Sequence, residues 1–325
     1  MTITVDIHLE PGHASQSLAD DVRRGLSSLS KHLPPKWFYD DLGSQLFDEI
    51  TRLPEYYQTR AERSILDATA VSIASLSGAN TLVELGSGTS EKTRLILTAL
   101  HNAGRLSTFI PFDVSEQTLR NAARAIQVEY PGVNVHAIVG DFDHHLAKIP
   151  VGGRKLVAFL GGTIGNFAPP ARRRFFEQLT NVMQPGDHLL LGTDLVKSPA
   201  RLVAAYDDAA RVTEAFNKNI LTVMNRELDA DFNRGDFDHH AIWNRDEAWI
   251  EMRLRARRAH QVTIPALDMR VAFAEGEDIL TEISAKFTES AVRAELAAAN
   301  LTLRHWWTDT PGDFALSLSE FSLSP

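Results

Sequence analysis

The stretch Thr81-Leu82-Val83-Glu84-Leu85-Gly86-Ser87-Gly88-Thr89-Ser90-Glu91-Lys92-Thr93-Arg94 decides the fold. It opens as a short apolar run, Leu82 to Leu85, which reads as a buried strand. It breaks at Gly86 to Ser90, and apolar residues then return at Leu95, Ile96 and Leu100, the spacing of a helix. Strand, glycine turn and helix make the nucleotide-cradling unit of an open α/β sheet. Gly86 and Gly88 allow a sharp turn and close approach of a ligand to the backbone. Ser90 is the expected N-cap of the helix.

The turn also chooses among cofactors. A dinucleotide fingerprint needs a third glycine where this chain has Glu91. A carboxylate in the first helical turn suits the helix dipole and repels a pyrophosphate, so NAD-dependent oxidoreduction is disfavoured. S-adenosylmethionine, a nucleoside carrying a cationic sulfonium and no phosphate, fits better. Glu84, just before the turn, is expected to offer a carboxylate toward that cation. Two glycines alone also fit a turn that merely joins a strand to a helix.

The chain has 325 residues, is 44% hydrophobic and carries a formal net charge of −9. That suffices for one large domain or two smaller ones. The acidic balance argues against a nucleic-acid partner. Cysteine is absent, which excludes disulfides, thiolate zinc sites and a thiol nucleophile. No signal peptide and no run of ~20 apolar residues is read, so the expectation is a cytoplasmic protein with no membrane partner.

From residue 81 to residue 194 the pattern alternates. Strands are predicted at 81–86, 109–113, 133–139, 155–161 and 187–193, with helices at 90–101, 115–128 and 169–183. This implies a doubly wound parallel sheet, with chemistry at the carboxyl ends of its strands. Residues 1–15 read as a loose arm, and the proline pair Pro34-Pro35 leads into aromatic residues Trp37, Phe38 and Tyr39. After residue 197 a helix through Phe216 and its continuation to Leu228 are predicted, then a polar loop over 229–240 and strands at 241–244, 248–256, 259–264, 268–273 and 279–287. A helix over 291–300 and two strands, 301–307 and 314–318, return to the sheet. The expected division is 1–60 and 197–285 for an α+β substrate-binding domain, and 61–196 and 286–325 for the core. The first domain is expected to close over the second.

Three strand ends carry polar groups suited to S-adenosylmethionine. Asp113 can hold both ribose hydroxyls, Asp141 can accept from the adenine amino group beside a stacking Phe142, and Thr163 to Asn166 follows the fourth strand. For the substrate, alternation puts Leu280, Glu282, Ser284 and Lys286 on one face of strand 279–287, as pocket lining or as a solvated face. Tyr206, one helical turn after Leu202, points to the core side, either as a contact or as a buried tyrosine. Met252 reads as core. Asp141 to His145 and Asp236 to His240 both place acids beside histidines, without ligand spacing on one helix face, and read as solvated loops rather than metal sites.

With these residues quoted, the chain resembles the histidine-specific, S-adenosylmethionine-dependent N-methyltransferases of ergothioneine biosynthesis. The resemblance covers nearly the whole chain and is carried by Leu33 to Asp40, Leu53 to Tyr57, Val83 to Thr93, Gly162 to Asn166, Leu191 to Lys197 and Thr281 to Phe287. It implies a class I, Rossmann-like methyltransferase with an inserted α+β domain. The implied reaction is trimethylation of the α-amine of L-histidine to hercynine, through mono- and dimethylated forms, by a monomer without a metal. It implies cofactor contacts at Gly86, Lys92, Asp113, Asp141 and Phe142. Histidine contacts are implied at Tyr56, Asn166, Tyr206, Glu282 and Ser284, with Tyr39 near the imidazole. No acid or base catalyst is assigned; positioning of the amine carries the chemistry. Gly162 and Ala285 stand where relatives have Ser and Cys. A methyltransferase for another amino acid, such as tryptophan, and a cofactor-binding regulator without turnover are the rival readings.

Overall fold

The structure, a computed structural model, describes residues 3–10 and 12–323, with Asp143 described in its backbone only. In chain order its strands are β1 (Ile3–Ile7), β2 (Thr81–Leu85), β3 (Thr108–Asp113), β4 (Asn134–Val139), β5 (Lys155–Phe159), β6 (His188–Asp194), β7 (Phe237–Asn244), β8 (Trp249–Ala256), β9 (His260–Ile264), β10 (Met269–Phe273), β11 (Asp278–Ala285), β12 (Leu301–Thr308) and β13 (Phe314–Phe321). Its helices are α1 (His13–Leu26), α2 (Asp41–Ile50), α3 (Gln58–Ser77), α4 (Arg94–Asn102), α5 (Glu116–Glu129), α6 (Phe142–His145), α7 (Pro169–Thr180), α8 (Pro199–Ala204), α9 (Val212–Leu228) and α10 (Glu289–Ala297). The chain forms two compact units, one from Met1–Glu10, Gln58–Leu195 and Phe287–Pro325, the other from Pro11–Tyr57 and Val196–Lys286.

The first unit is built on an eight-stranded sheet in the order β1-β4-β3-β2-β5-β6-β13-β12. β1 to β6 run parallel, β13 returns antiparallel beside β6, and β12 pairs antiparallel with β13 at the edge. β2, β5 and β6 are buried along their whole length, as central parallel strands covered on both faces must be. The chain turns outward in opposite directions from β2 and β5, so their carboxyl ends flank the sheet's switch point.

Two expectations are corrected here. Residues Ile3–Ile7 are not a loose arm but an edge strand in register with β4, from Ile3 opposite Val135 to Ile7 opposite Val139. Val5 and Leu9 pack on Leu119, Ala137 and Val139, which ties the segment down; residues 1, 2 and 11 of the expected arm lie outside the described residues. The helix after the glycine turn starts at Arg94 with Thr93 at its N-cap. Ser90 has a positive φ of 54°, and its hydroxyl donates to Glu84 rather than capping.

The second unit packs α1, α2, α8 and α9 with a three-stranded antiparallel sheet, β11-β8-β7, and a hairpin, β9-β10. Its core contains Phe38, Leu202, Phe216, Ile220, Ile250, Met252 and Ile279. Pro34 is extended (φ −73°, ψ 143°), as a residue before proline should be, and Pro35 then opens a single 3-10 turn to Phe38. The long helix expected from Ser198 is broken between Ala204 and Val212. Asp208 causes the break, because its carboxylate accepts from the backbone N–H groups of Val212 (3.0 Å) and Thr213 (2.8 Å), satisfying the open end of α9. The polar segment read as loop through residue 240 is strand from Phe237 onward.

β11 carries a bulge. Leu280 pairs with Arg253 and Glu282 with Met252, so two steps on β11 match one on β8 and Thr281 is the extra residue. Strict alternation therefore fails. Glu282 and Ser284 share a face with buried Met252 and Ile250, while Leu280 lies on the Arg253 face.

Candidate functional site

In the first unit the glycine turn is pinned by β3. The N–H groups of Gly86 and Ser87 donate to the carbonyl oxygen of Phe112 (2.8 and 3.2 Å). The Asp113 carboxylate accepts from the N–H of Gly88 at 3.0 Å and from that of Ser115 at 3.0 Å. Burial pushes this carboxyl above its ordinary range, and the backbone N–H donors pull it back. Gly86 has φ 70° and Gly88 φ 47°. A Cβ on Gly86 would sit 3.4 Å from the Phe142 ring, while one on Gly88 would meet nothing within 4 Å. Phe142 stacks on Phe112 at 5.5 Å. The N–H of Asp141 donates to Nδ1 of His145 at 3.1 Å.

Lys92 forms an ion pair with the fully buried Glu62, whose other oxygen accepts from the N–H of Gly161 at 2.7 Å. This fastens the glycine turn to the end of β5. There Gly162 leads into a 3-10 turn, Thr163–Asn166, and the half-buried Asn166 side chain makes no hydrogen bond among the described residues. Glu84 corrects an expectation. It is only 5% exposed, Ser90 and Thr93 donate their hydroxyls to its two oxygens, and burial pushes its pKa up to about 7. The carboxylate holds the turn; it is not presented to a ligand.

In the second unit three polar side chains meet in a buried cluster. The hydroxyls of Tyr206 and Ser284 lie 2.7 Å apart, and Lys286 Nζ donates to both, at 2.9 and 2.8 Å. Tyr206 is placed by the turn after α8, where its N–H donates to Val203 at 2.9 Å, not by a helix face. Glu282 makes no hydrogen bond among the described residues. Burial pushes its pKa up to about 7, with Lys286 pulling it back. Tyr56 meets Tyr206 and Phe47 edge-on at 6.5 and 6.1 Å, and Tyr39 meets Phe47 and Phe216 at 5.5 and 5.4 Å. Tyr39 is 45% exposed, yet desolvation of its hydroxyl and then the Glu282 carboxylate hold its phenol well above its usual range.

Five of the side chains read from sequence as histidine contacts, Tyr39, Tyr56, Tyr206, Glu282 and Ser284, thus belong to one unit. Asn166 belongs to the other, with Gly86, Lys92, Asp113, Asp141 and Phe142. Sequence reasoning gave Lys286 no role, although it had placed it on the same strand face. It also misread His239. This residue lies on β7, with Nδ1 2.8 Å from the Asn217 amide nitrogen and Nε2 2.8 Å from the Tyr206 carbonyl oxygen. Among the described residues no cluster of three His, Asp or Glu side chains could hold a metal. No helix among them is long and apolar enough to cross a membrane.

The sheet order, the glycine turn and the acids at the strand ends define a Rossmann-like, class I S-adenosylmethionine-dependent methyltransferase. The fold is similar to that of an S-adenosylmethionine-dependent methyltransferase from Clostridium acetobutylicum, with TM-score 0.51 at 8% identity, covering 87% of this chain and 100% of that one. Residues 18–321 match the family of histidine-specific, SAM-dependent methyltransferases, and the chain belongs to it. It is 57% identical to the histidine N-alpha-methyltransferase of Mycolicibacterium smegmatis, across 98% of this chain and 99% of that protein. It is 30% identical to ergothioneine biosynthesis protein 1 of Schizosaccharomyces pombe, across 87% of this chain and 38% of that protein.

Proposed function

We propose that this protein transfers methyl groups from S-adenosylmethionine to the α-amine of L-histidine, three times in succession, to give hercynine for ergothioneine. The observation that carries the substrate assignment is Glu282, a carboxylate without a hydrogen-bond partner among the described residues, beside a satisfied Tyr206–Ser284–Lys286 cluster. An imidazole N–H is the neutral donor that such an acceptor lacks, and the resulting bond is charge-assisted.

The cradle in the first unit fits the donor. Gly88 leaves open space, the Phe142 ring lies 3.4 Å from where a Cβ on Gly86 would sit, and Asp113 and Asp141 stand at successive strand ends. Exposed Glu91 in the turn is tolerable for a ligand without phosphate. We assign Gly86, Lys92, Asp113, Asp141 and Phe142 to it. When bound, S-adenosylmethionine supplies an electrophilic methyl carbon on a sulfonium.

The chain's own residues have to select the amino acid, hold it and leave its nitrogen neutral. Glu282 and Ser284 take the imidazole, with Tyr39 beside it, and Tyr56, Asn166 and Tyr206 take the amino-acid end. A free α-amine titrates near ~8, so modest help suffices to present it unprotonated. After the first and second additions the nitrogen loses a proton before it can react again. The third leaves a permanent cation with no proton to lose, and the tyrosine faces of the second unit are suited to a quaternary nitrogen. The reading extends to a cytoplasmic monomer acting on histidine and its mono- and dimethylated forms, and the net charge of −9 speaks against a nucleic-acid partner.

Mass spectrometry of histidine incubated with the protein and S-adenosylmethionine tests the assignment. Three successive methyl additions at the α-nitrogen are expected. Methylation of tryptophan in preference to histidine would overturn it.

A further inference from the structure

Asn217, fully buried in α9, has an orientation that chemistry dictates. Its Nδ2 lies 3.2 Å from the carbonyl oxygen of Arg253, which can only accept, so this side of the amide is the donor. The same nitrogen lies 2.8 Å from His239 Nδ1, which must be the bare ring nitrogen. Nε2 of His239 faces the Tyr206 carbonyl oxygen at 2.8 Å and must carry the proton. On its acceptor side, Asn217 Oδ1 receives the Thr281 hydroxyl at 2.6 Å, and that hydroxyl also lies 2.9 Å from the Met252 carbonyl oxygen. Thr281 is the bulge residue that turns Glu282 and Ser284 onto the Met252 face.

We propose that Thr281, Asn217 and His239 form a positioning relay, which locks the bulge aiming Glu282 to the turn carrying Tyr206 and operates only with His239 in its neutral Nε2–H form. The relay rests on the histidine reading above. Glu282 and Tyr206 both sit on irregular backbone, a bulge and an inter-helix turn, which by themselves hold a side chain less exactingly than regular elements do. One buried polar chain joins the two, and none of its three members is among the substrate contacts.

Protonation of His239 would set an N–H against the Asn217 amide donor and break the chain. Burial opposes that charge and lowers the histidine's pKa; Asp207 from the turn and Glu214 from α9 favour it, while His240 on β7 opposes it. Leu254, its register partner on β8, is uncharged. The relay is therefore intact at neutral pH and lost as pH falls through the lowered His239 pKa.

The test uses the full-length protein. Thr281→Val keeps the side-chain shape and removes the hydroxyl. It should raise the KM for histidine roughly tenfold, as loss of one buried hydrogen bond implies. The kcat and the affinity for S-adenosylhomocysteine should stay within about twofold, because the altered contact acts through substrate binding. Thr281→Ser should restore the wild-type KM. An unchanged KM in Thr281→Val overturns the relay, as does a parallel loss of cofactor affinity, which marks general damage. Nitrogen NMR of side-chain-labelled histidine in the wild type supplies a readout free of mutation. The Nε2–H tautomer of His239 is expected, and the Nδ1–H tautomer overturns the relay. A wild type that leaves histidine unmodified would instead sink the substrate assignment, so the two failures are distinct.

Discussion

Each unit of this protein holds one glutamate whose pKa burial pushes up to about 7, Glu84 in the first and Glu282 in the second. The shifts match, but the situations are opposite. Glu84 has hydroxyl donors on both oxygens, Ser90 and Thr93, and serves the loop that carries them. Glu282 has no hydrogen bond among the described residues and only Lys286 to moderate its charge. Desolvation alone thus does not mark a binding group; a desolvated acceptor left without donors does. Under the proposed function, the cradle would select its ligand mainly by backbone shape, and the second unit would select its ligand through a carboxylate that lacks a donor.

The sharpest way to break this contrast is Glu282→Ala. Loss of a buried charged partner should lower kcat/KM for histidine by roughly 10²- to 10³-fold. Affinity for S-adenosylmethionine, measured by calorimetry, should stay within about twofold. Equal loss of both would erase the division between the units. Asp113→Ala should do the reverse, weakening S-adenosylmethionine by about 10- to 100-fold through loss of a charged hydrogen-bonding group and a loop anchor. At saturating cofactor, its KM for histidine should hold. A variant that still binds cofactor normally would remove Asp113 from the cradle.

Lys286→Met sharpens the comparison further. Lys286 pulls the Glu282 pKa down, so its removal lets that pKa rise above about 7. The acid limb of the kcat/KM profile for histidine should move to higher pH, and KM should rise about tenfold with the loss of two hydrogen bonds to Tyr206 and Ser284. A profile superimposable on wild type would show that Lys286 only fills space.

Much of this was legible beforehand, for physical reasons. The alternation from residue 81 to residue 194 is a long-range pattern, and a parallel sheet with its chemistry at strand ends follows from it. The acids at 113 and 141 and the aromatic at 142 could be placed because strand ends are marked by a change in polarity. The features that escaped are local departures from a period. Nothing in Leu280-Thr281-Glu282 announces an extra residue, so a two-residue period put Leu280 on the wrong face. A helical period carried Tyr206 through a break that Asp208 imposes by capping the next helix. The string Asp236 to His240 is polar enough to read as loop, yet from Phe237 it is strand β7, with Phe237 buried and both ring nitrogens of His239 engaged, by Asn217 and by the Tyr206 carbonyl oxygen. Ser90 looks like a cap in sequence, but a buried carboxylate six residues earlier claims its hydroxyl.

The smallest effect tests the other glutamate. A carboxyl whose folded pKa lies near 7, raised from an unfolded value of 4.5, favours the folded state in its protonated form. That contribution is fully present below pH 4.5 and is lost as pH rises through about 7. Glu84→Gln keeps the shape and one acceptor while removing the titration. The difference in Tm, variant minus wild type, should therefore climb by a few degrees across that window, on the order of 1–3 kcal/mol, and level off above it. Glu282 titrates over the same range in both proteins and cancels in the difference. A flat difference would mean that Glu84 ionises as an ordinary acid. The two glutamates would then differ in their burial cost as well as in their partners, and hydrogen bonding alone would no longer separate the holding group from the reading one.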